Sequence, residues 1–450
     1  MDLIDFTVAE YRGPAAAGSV GGGWQDDRVV EILTGRISRR DANRRDAADP
    51  LRPFRRRFVI TEPDLVYLDG NSLGRLPVAT RDALIRGVAQ DWGRDLIRGW
   101  SRWIDVAREA GDVIAGGVVQ AEPGEVIVSD STSVNLYKLA AAALAARPSR
   151  RVIVTDDDNF PSDGYVMQGL AASGHELRVI RTDIDGGIDP KAVADAVDSD
   201  TALVSLPHVA YRSGALADMP AITRIAHDAG ALMLWDLCHS AGAVPVPLTD
   251  AGVDLAVGCT YKYLNAGPGA PAFLYVRRDL QSALQQPIWG WFGQRDQFQM
   301  GHDYQPADSI ERFTVGTPSV LGCYAVIEGA RLSAGAGIEA IYAKGQALTS
   351  YAVALADAWL GDHGVRVASP RDPARRGCHV TLHHPQAWQL CQALIADGVI
   401  PDFRAPERLR LGFAPIYTSF TEVYDGLHRL RRILADGSHL RFPADPARVT

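Results

Sequence analysis

Between Glu125 and Val276 the chain repeats one pattern: a short apolar run, a polar or glycine-containing break, then about ten residues with helical spacing. The runs Glu125–Asp130, Arg151–Thr155, Leu177–Ile180, Ala202–Leu206 and the one ending at Trp235 read as strands. Helices are expected from about Asp163, over Pro190–Val197 and over Pro220–Ala229. The runs are continuously apolar and do not alternate, so both strand faces must be covered. Strands separated by single helices are joined by crossovers, which predicts an α/β fold with a mostly parallel sheet.

Two neighbouring strand ends carry charge. Trp235-Asp236-Leu237-Cys238-His239-Ser240 ends one apolar run in an aspartate, and the Val253–Val257 run leads into Gly258-Cys259-Thr260-Tyr261-Lys262-Tyr263-Leu264-Asn265. Ligands of open α/β sheets sit at such ends. A carboxylate and a lysine there match pyridoxal phosphate (PLP) chemistry: the lysine bonds the cofactor aldehyde, and the carboxylate keeps the pyridine nitrogen protonated. A helix-capping Asp236 and a surface Lys262 form the simpler alternative, but buried strands seldom end in charges without partners.

Other strand ends add polar groups. Ser131-Thr132-Ser133 opens an alanine-rich helix, where hydroxyls serve as N-caps or meet a phosphate together with free backbone N–H groups. Phe160, in Asn159–Asp163, stacks on a planar ring or simply packs. Tyr211, Arg212 and Ser213 follow a further strand, and Val66–Gly74 is a short strand breaking into a turn. Ala83 to about Gln120 has helical spacing, with Trp92, Trp100 and Trp103 expected in the core. The aromatic stretch Gln286–Gly293 suits a lid or a subunit contact. Beyond about residue 330 a long helix leads to strands near Cys378–Leu382 and Leu409–Phe413, flanking a helix at Gln386–Ala396. Arg410, inside an apolar strand, needs an anion.

A net charge of −8 offers no case for nucleic acid or anionic membrane, and no apolar run approaches the length of a membrane span. A cytoplasmic protein is expected. Nine arginines between Arg36 and Arg57 alternate with Asp41, Asp46 and Asp49, which favours a solvated helix over a basic arm. Five cysteines without Cys-x-x-Cys spacing suggest reduced thiols and no metal site. Three parts are expected: an N-terminal extension over 1–44, including the glycine-rich Gly18–Gly23, a large domain over 45–330, and a small α+β domain over 331–450.

In order along the chain stand Leu-Asp-Gly-Asn-Ser-Leu-Gly (68–74), Asp-Ser-Thr-Ser-Val-Asn-Leu (130–136), Phe-Pro-Ser-Asp (160–163), Trp-Asp-Leu-Cys-His-Ser-Ala-Gly-Ala (235–243), Gly-Cys-Thr-Tyr-Lys-Tyr-Leu-Asn-Ala-Gly-Pro-Gly-Ala-Pro (258–271), Gly-Trp-Phe-Gly (290–293), Gly-Thr-Pro (316–318) and Arg-Leu-Gly-Phe-Ala-Pro-Ile-Tyr (410–417). With these runs the chain resembles the kynureninase family, PLP enzymes of fold type I. The resemblance implies hydrolysis of the β,γ carbon–carbon bond of L-kynurenine, or of a ring-substituted kynurenine, to the anthranilate and L-alanine, in a homodimer with shared active sites. It implies that Lys262 carries the cofactor, Asp236 pairs with its ring nitrogen, and Thr132, Ser133 and Tyr261 hold its phosphate. Phe160 would stack on the ring, with Asp163 and His239 close by. Tyr261 would donate a proton, Arg410 would take the substrate carboxylate, and Ser72, Trp291 and Thr317 would line the aryl pocket, with Trp291 and Thr317 also near the cofactor. Two features depart from the family: Gln294 stands where histidine is common, and residues 1–44 have no counterpart. Competing readings are a cysteine desulfurase or selenocysteine lyase, for which Cys378 would be the nucleophile, and a PLP-binding protein without turnover.

Overall fold

In the computed structural model, which describes residues 37–445, seven strands form the central sheet. Their spatial order is Val126–Val128, Phe273–Val276, Leu255–Gly258, Leu232–Asp236, Thr201–Pro207, Val152–Asp156 and Glu176–Ile180. Phe273–Val276 runs antiparallel to both its neighbours, and the other strands share one direction. Every residue of the first six strands is buried, as their uninterrupted apolar sequences require. The edge strand Glu176–Ile180 differs: Glu176 is exposed and Arg178 half-buried, which discourages pairing with another chain.

The crossover helices are Thr132–Ala145, Pro161–Ala171, Pro190–Ala196 and Met219–Asp228. Three begin on a side-chain cap, with Ser131, Asp189 and Asp218 accepting the backbone N–H groups of Val134, Lys191 and Ala221. One helical expectation fails. The segment from Ala83 onward is broken into Val78–Arg86, a wide turn over Gly87–Trp92, short turns to Trp103, and Val106–Val118. Gly87, Gly93 and Gly99 interrupt it, and glycine is the weakest helix former after proline. The three tryptophans are not core: Trp92 is 61% exposed, and Trp100 and Trp103 are half-buried beside each other.

A second hydrophobic core is built by helix Ile338–Trp359, helix Ala387–Ala396, helix Phe420–Asp436 and a four-stranded antiparallel sheet. That sheet orders Asp402–Arg404, Arg408–Gly412, His379–His383 and Arg366–Val367. The chain's N-terminal part joins it: Val66–Tyr67 pairs in parallel with Val399–Ile400, and Ala42, Val66 and Leu68 are buried in this core. Helix Arg39–Ala48 therefore belongs to the folded body, so the extension expected over 1–44 reaches too far; Gly18–Gly23 lies outside the described residues. The helix is the mixed-charge one expected, with Asp41 bonded to Arg45 at 2.8 Å and Arg39 to Asp425 at 2.9 Å. Asp46 accepts the first free N–H groups of helix Phe420–Asp436, from Phe420 at 2.7 Å and Thr421 at 3.1 Å.

Asp49 and Lys344 form a buried ion pair at 2.7 Å that fastens this N-terminal segment to helix Ile338–Trp359. Removing one member of such a pair strands the other charge. Lys344→Met is expected to lower stability by about 3–5 kcal/mol, seen as a lower urea midpoint, and a double change of Asp49 and Lys344 to apolar residues should recover much of it.

Candidate active site

The site is assembled from the carboxyl ends of parallel strands, around a cavity of about 420 Å³. Asp236 ends the central strand Leu232–Asp236, and its Oδ1 accepts the Cys238 backbone N–H at 2.8 Å. The next strand, Leu255–Gly258, turns into Lys262, and the two ends are tied together. Leu237 N–H donates to Val257 O at 2.8 Å, and Cys259 N–H donates to Cys238 Sγ at 3.2 Å. Thr132 Oγ1 lies 3.8 Å from the same sulfur, which brings a third strand end to this point. Asp236, His239, Tyr261 and Lys262 line the cavity together with Thr132, Ser133, Phe160 and Asp163.

Lys262 Nζ lies 3.5 Å from His239 Nε2 and 5.9 Å from the ring centres of both Phe160 and Tyr261. Burial pushes the His239 imidazole well below its ordinary range, and the Lys262 charge adds to this, so His239 is neutral. Asp163 is buried, and its Oδ2 has no partner among the described residues. Burial, reinforced by the Asp236 charge, holds Asp163 well above the carboxylate range. Asp163 thus keeps its proton beside Asp236. Ser131 is the helix cap, which leaves the Thr132 and Ser133 hydroxyls on the cavity wall, so the cap does not use up the groups that could meet a phosphate. Phe160 is 39% exposed, lines the cavity and meets Tyr211 edge-on at 5.3 Å.

The turn over 68–74 packs beneath the lysine loop. Gly74 N–H donates to Tyr261 O at 2.8 Å, and a Cβ on Gly74 would stand 2.3 Å from Lys262 O, so no larger residue fits. Ser72, in the same turn, faces the small sheet. There Asp402 and Arg410 are cross-strand partners in an antiparallel hairpin. Arg410 Nε donates to Asp402 Oδ1 at 2.9 Å, Nη2 bonds Asp402 Oδ2 and, at 2.9 Å, Ser72 Oγ, and Nη1 donates to Tyr211 O at 2.6 Å.

Arg410 therefore has a resident anion, Asp402, and does not line the cavity around Lys262. Ser72 is engaged in the same cluster and not in an aryl pocket of this chain. Trp291 and Thr317 also lie off the Lys262 cavity: Trp291 packs among Trp100, Phe292 and Phe298, and Thr317 is exposed. Both sit on the outer segment 285–319, which does not fold back over its own site. Gln294 is spent within that segment, its Oε1 accepting the Gln305 N–H at 2.6 Å. Arg212 pairs with Asp158 and donates to Ala405 O at 2.9 Å, away from the cavity. Among the described residues no His, Cys, Asp or Glu cluster could hold a metal, and no helix is long and apolar enough to cross a membrane.

Several residues escaped the sequence reading. Asp402 and Arg404 had a legible signal: Asp402-Phe-Arg404-Ala-Pro-Glu-Arg408-Leu-Arg410 is a hairpin sequence that sets an acid opposite the central arginine. His379 had none. Its ring stands 5.6 Å from His239, fully buried, and burial pushes it down to about 3, so it too is uncharged.

The buried strand-end carboxylate fits a pyridinium N–H, the neighbouring amine fits an aldehyde, and the hydroxyl-bearing helix start fits a phosphate. Fold and site together define a PLP-dependent enzyme of fold type I. A family description, Kynureninase C-terminal domain, matches residues 341–430, and that of the DegT/DnrJ/EryC1/StrS aminotransferase family matches 124–245. A kynureninase from Pseudomonas fluorescens is 42% identical over 406 residues, 88% of this chain and 95% of the relative. The chain belongs to the kynureninase family. Among solved structures, the apo cysteine desulfurase of Thermococcus onnurineus NA1 superposes with a TM-score of 0.75 at 21% identity, covering 85% of this chain and 98% of that one. A mutant C-DES protein with glycine covalently linked to its PLP cofactor gives 0.71 at 18%, covering 82% and 97%. At such identities the likeness is one of fold.

The cysteine on which a desulfurase reading depends is inaccessible. Cys378 is fully buried, its thiol donates to Ala243 O at 3.3 Å, and burial pushes its pKa up to about 12. Native protein treated with iodoacetamide at pH 8 should remain unmodified at Cys378, with labelling only after denaturation; rapid native labelling would reopen the sulfur-transfer reading.

Proposed function

We propose that the chain hydrolyses L-kynurenine to anthranilate and L-alanine with PLP held by Lys262. The observation that carries this reading is the Asp236–Lys262 pair on adjacent strand ends, in a chain of the kynureninase family. Bound here, PLP supplies an electron sink for the bonds broken at the substrate α and β carbons. Lys262 Nζ is the base that removes the α proton, and it stands 3.5 Å from His239 Nε2. Asp236 holds the ring proton, and Thr132 and Ser133 with the helix N-terminus take the phosphate. The Tyr261 hydroxyl keeps its proton far above neutrality, because burial and the nearby Cys259 disfavour the phenolate, and it donates that proton during carbon–carbon cleavage. The substrate α-carboxylate goes to the positive cluster around Arg410 and Asp402.

We also propose a cytoplasmic homodimer in which Trp291 and Thr317 complete the partner's aryl pocket. In support, both lie off their own cavity, and Ile85, Val88, Trp92, Leu96 and Ile97 form an exposed apolar face on the segment they border. All five cysteines are free, which suits a reducing compartment. The division into a large and a small domain is proposed on the two hydrophobic cores, with Ala42, Val66 and Leu68 assigned to the small one.

Two outcomes check this reading. Borohydride reduction followed by peptide mapping should place the pyridoxyl mass on Lys262, with kynurenine turnover releasing fluorescent anthranilate; a label on another lysine refutes the assignment. Thr317 offers no amide to a ring hydroxyl, so kcat/KM should favour kynurenine over 3-hydroxykynurenine by about 10- to 100-fold. Since Gln294 is held by Gln305, Gln294→His should leave that ratio within about threefold, a small change on the scale of one lost contact.

A further inference from the structure

An acid stands among the groups that would meet the cofactor phosphate. Asp130 lines the cavity with Ser131, Thr132 and Ser133. It holds φ at 46°, in the left-handed region that aspartate tolerates better than most residues, where strand Val126–Val128 turns into helix Thr132–Ala145. Its backbone is fixed there, because Asp130 O accepts the Ala272 N–H at 2.9 Å. A bare carboxylate in this position would repel a phosphate, and would itself compete for the positive end of the helix.

Lys138 counters both effects. It sits in the second turn of the same helix, fully buried, and donates to Asp130 Oδ2 at 2.6 Å, to Phe313 O at 2.7 Å and to Ser129 Oγ at 3.3 Å. All three ammonium donors are thereby used. Ser129 Oγ donates in turn to the same Asp130 Oδ2 at 2.6 Å, so one oxygen of the acid is held by two groups outside the cavity. Burial opposes the Asp130 charge, but Lys138 outweighs it and keeps the carboxylate below its ordinary range. Lys138 does not line the cavity and reaches it only through the acid. A pair kept for stability alone has no reason to stand at an anion site, since apolar residues of similar volume often serve a buried position as well or better.

Resting on the reading of Thr132 and Ser133 as the phosphate site, we propose that Lys138 is a positioning residue for the cofactor: it masks and pins Asp130, so that the helix start stays open to the phosphate.

The test titrates the full chain, stripped of cofactor, with PLP and with pyridoxal, which lacks the phosphate, and follows absorbance. Wild type should bind PLP the more tightly. Lys138→Met should reduce that preference by about 10- to 100-fold, the scale of one unmasked like charge nearby, while its affinity for pyridoxal stays nearly constant. Adding Asp130→Asn to Lys138→Met should bring the preference back to within about threefold of wild type, because no charge then faces the phosphate. Asparagine also tolerates the left-handed backbone. An unchanged preference in Lys138→Met, an equal loss of affinity for both ligands, or a double variant no better than the single one overturns the proposal. Should Lys138→Met fail to fold, Lys138→Gln keeps a donor for Asp130 without the charge; it should show the same loss, and full retention overturns the proposal. The two failures have different signatures. A wild type that binds pyridoxal as tightly as PLP refutes the phosphate reading itself, whereas a wild type and a Lys138→Met variant that discriminate equally refute only the role of Lys138.

Discussion

A single charge buried at the end of an apolar strand governs this molecule. Asp236 closes the central strand of the sheet, where the flanking strands and both layers of helix exclude water, and an isolated carboxylate there is costly. Among the described residues one backbone N–H, that of Cys238, reaches its Oδ1. A cationic group in the cavity would stabilise it further, and a protonated pyridine nitrogen fits that requirement. Asp163 shows the same constraint from the other side: beside Asp236 and equally buried, it stays protonated, so the two acids do not compete for the one cation.

The lysine opposite depends on packing from a distant part of the chain. Its loop rests on the turn over 68–74, which reaches it because Gly74 has no side chain, and the strand just before that turn is paired with Val399–Ile400. The second core therefore reaches the reacting amine through backbone contacts. It also brings the hairpin of Asp402, Arg404 and Arg410 toward His239, so the strand ends around Lys262 and this hairpin rest on two separate hydrophobic cores. Motion of one core against the other would change the distance between them without disturbing either.

The outer segment over 285–319 leaves aromatic side chains exposed. Trp289 is 57% exposed and stacks on Tyr304 at 5.0 Å, and Trp291 lies in an aromatic group with Trp100 and Phe292. Indole rings carry large apolar area at low rotamer entropy, which suits surfaces that are covered on association.

The sequence by itself determined the sheet, its direction and the chemistry of its edge. Short continuous apolar runs between turn signals read as buried strands, and the residues that follow their ends, Asp236, Lys262, Thr132, Ser133 and Phe160, line one cavity in the fold. Tertiary structure alone decided which groups are free. Arg410 reads as a charge awaiting an anion until the fold delivers Asp402, Ser72 and the Tyr211 carbonyl to it, and Trp92 reads as core until the glycines around it break the helix and turn it outward. The reason is physical: local pattern fixes which face of an element is apolar, whereas the pairing of a buried charge is settled by whichever distant partner the packing brings within hydrogen-bond reach.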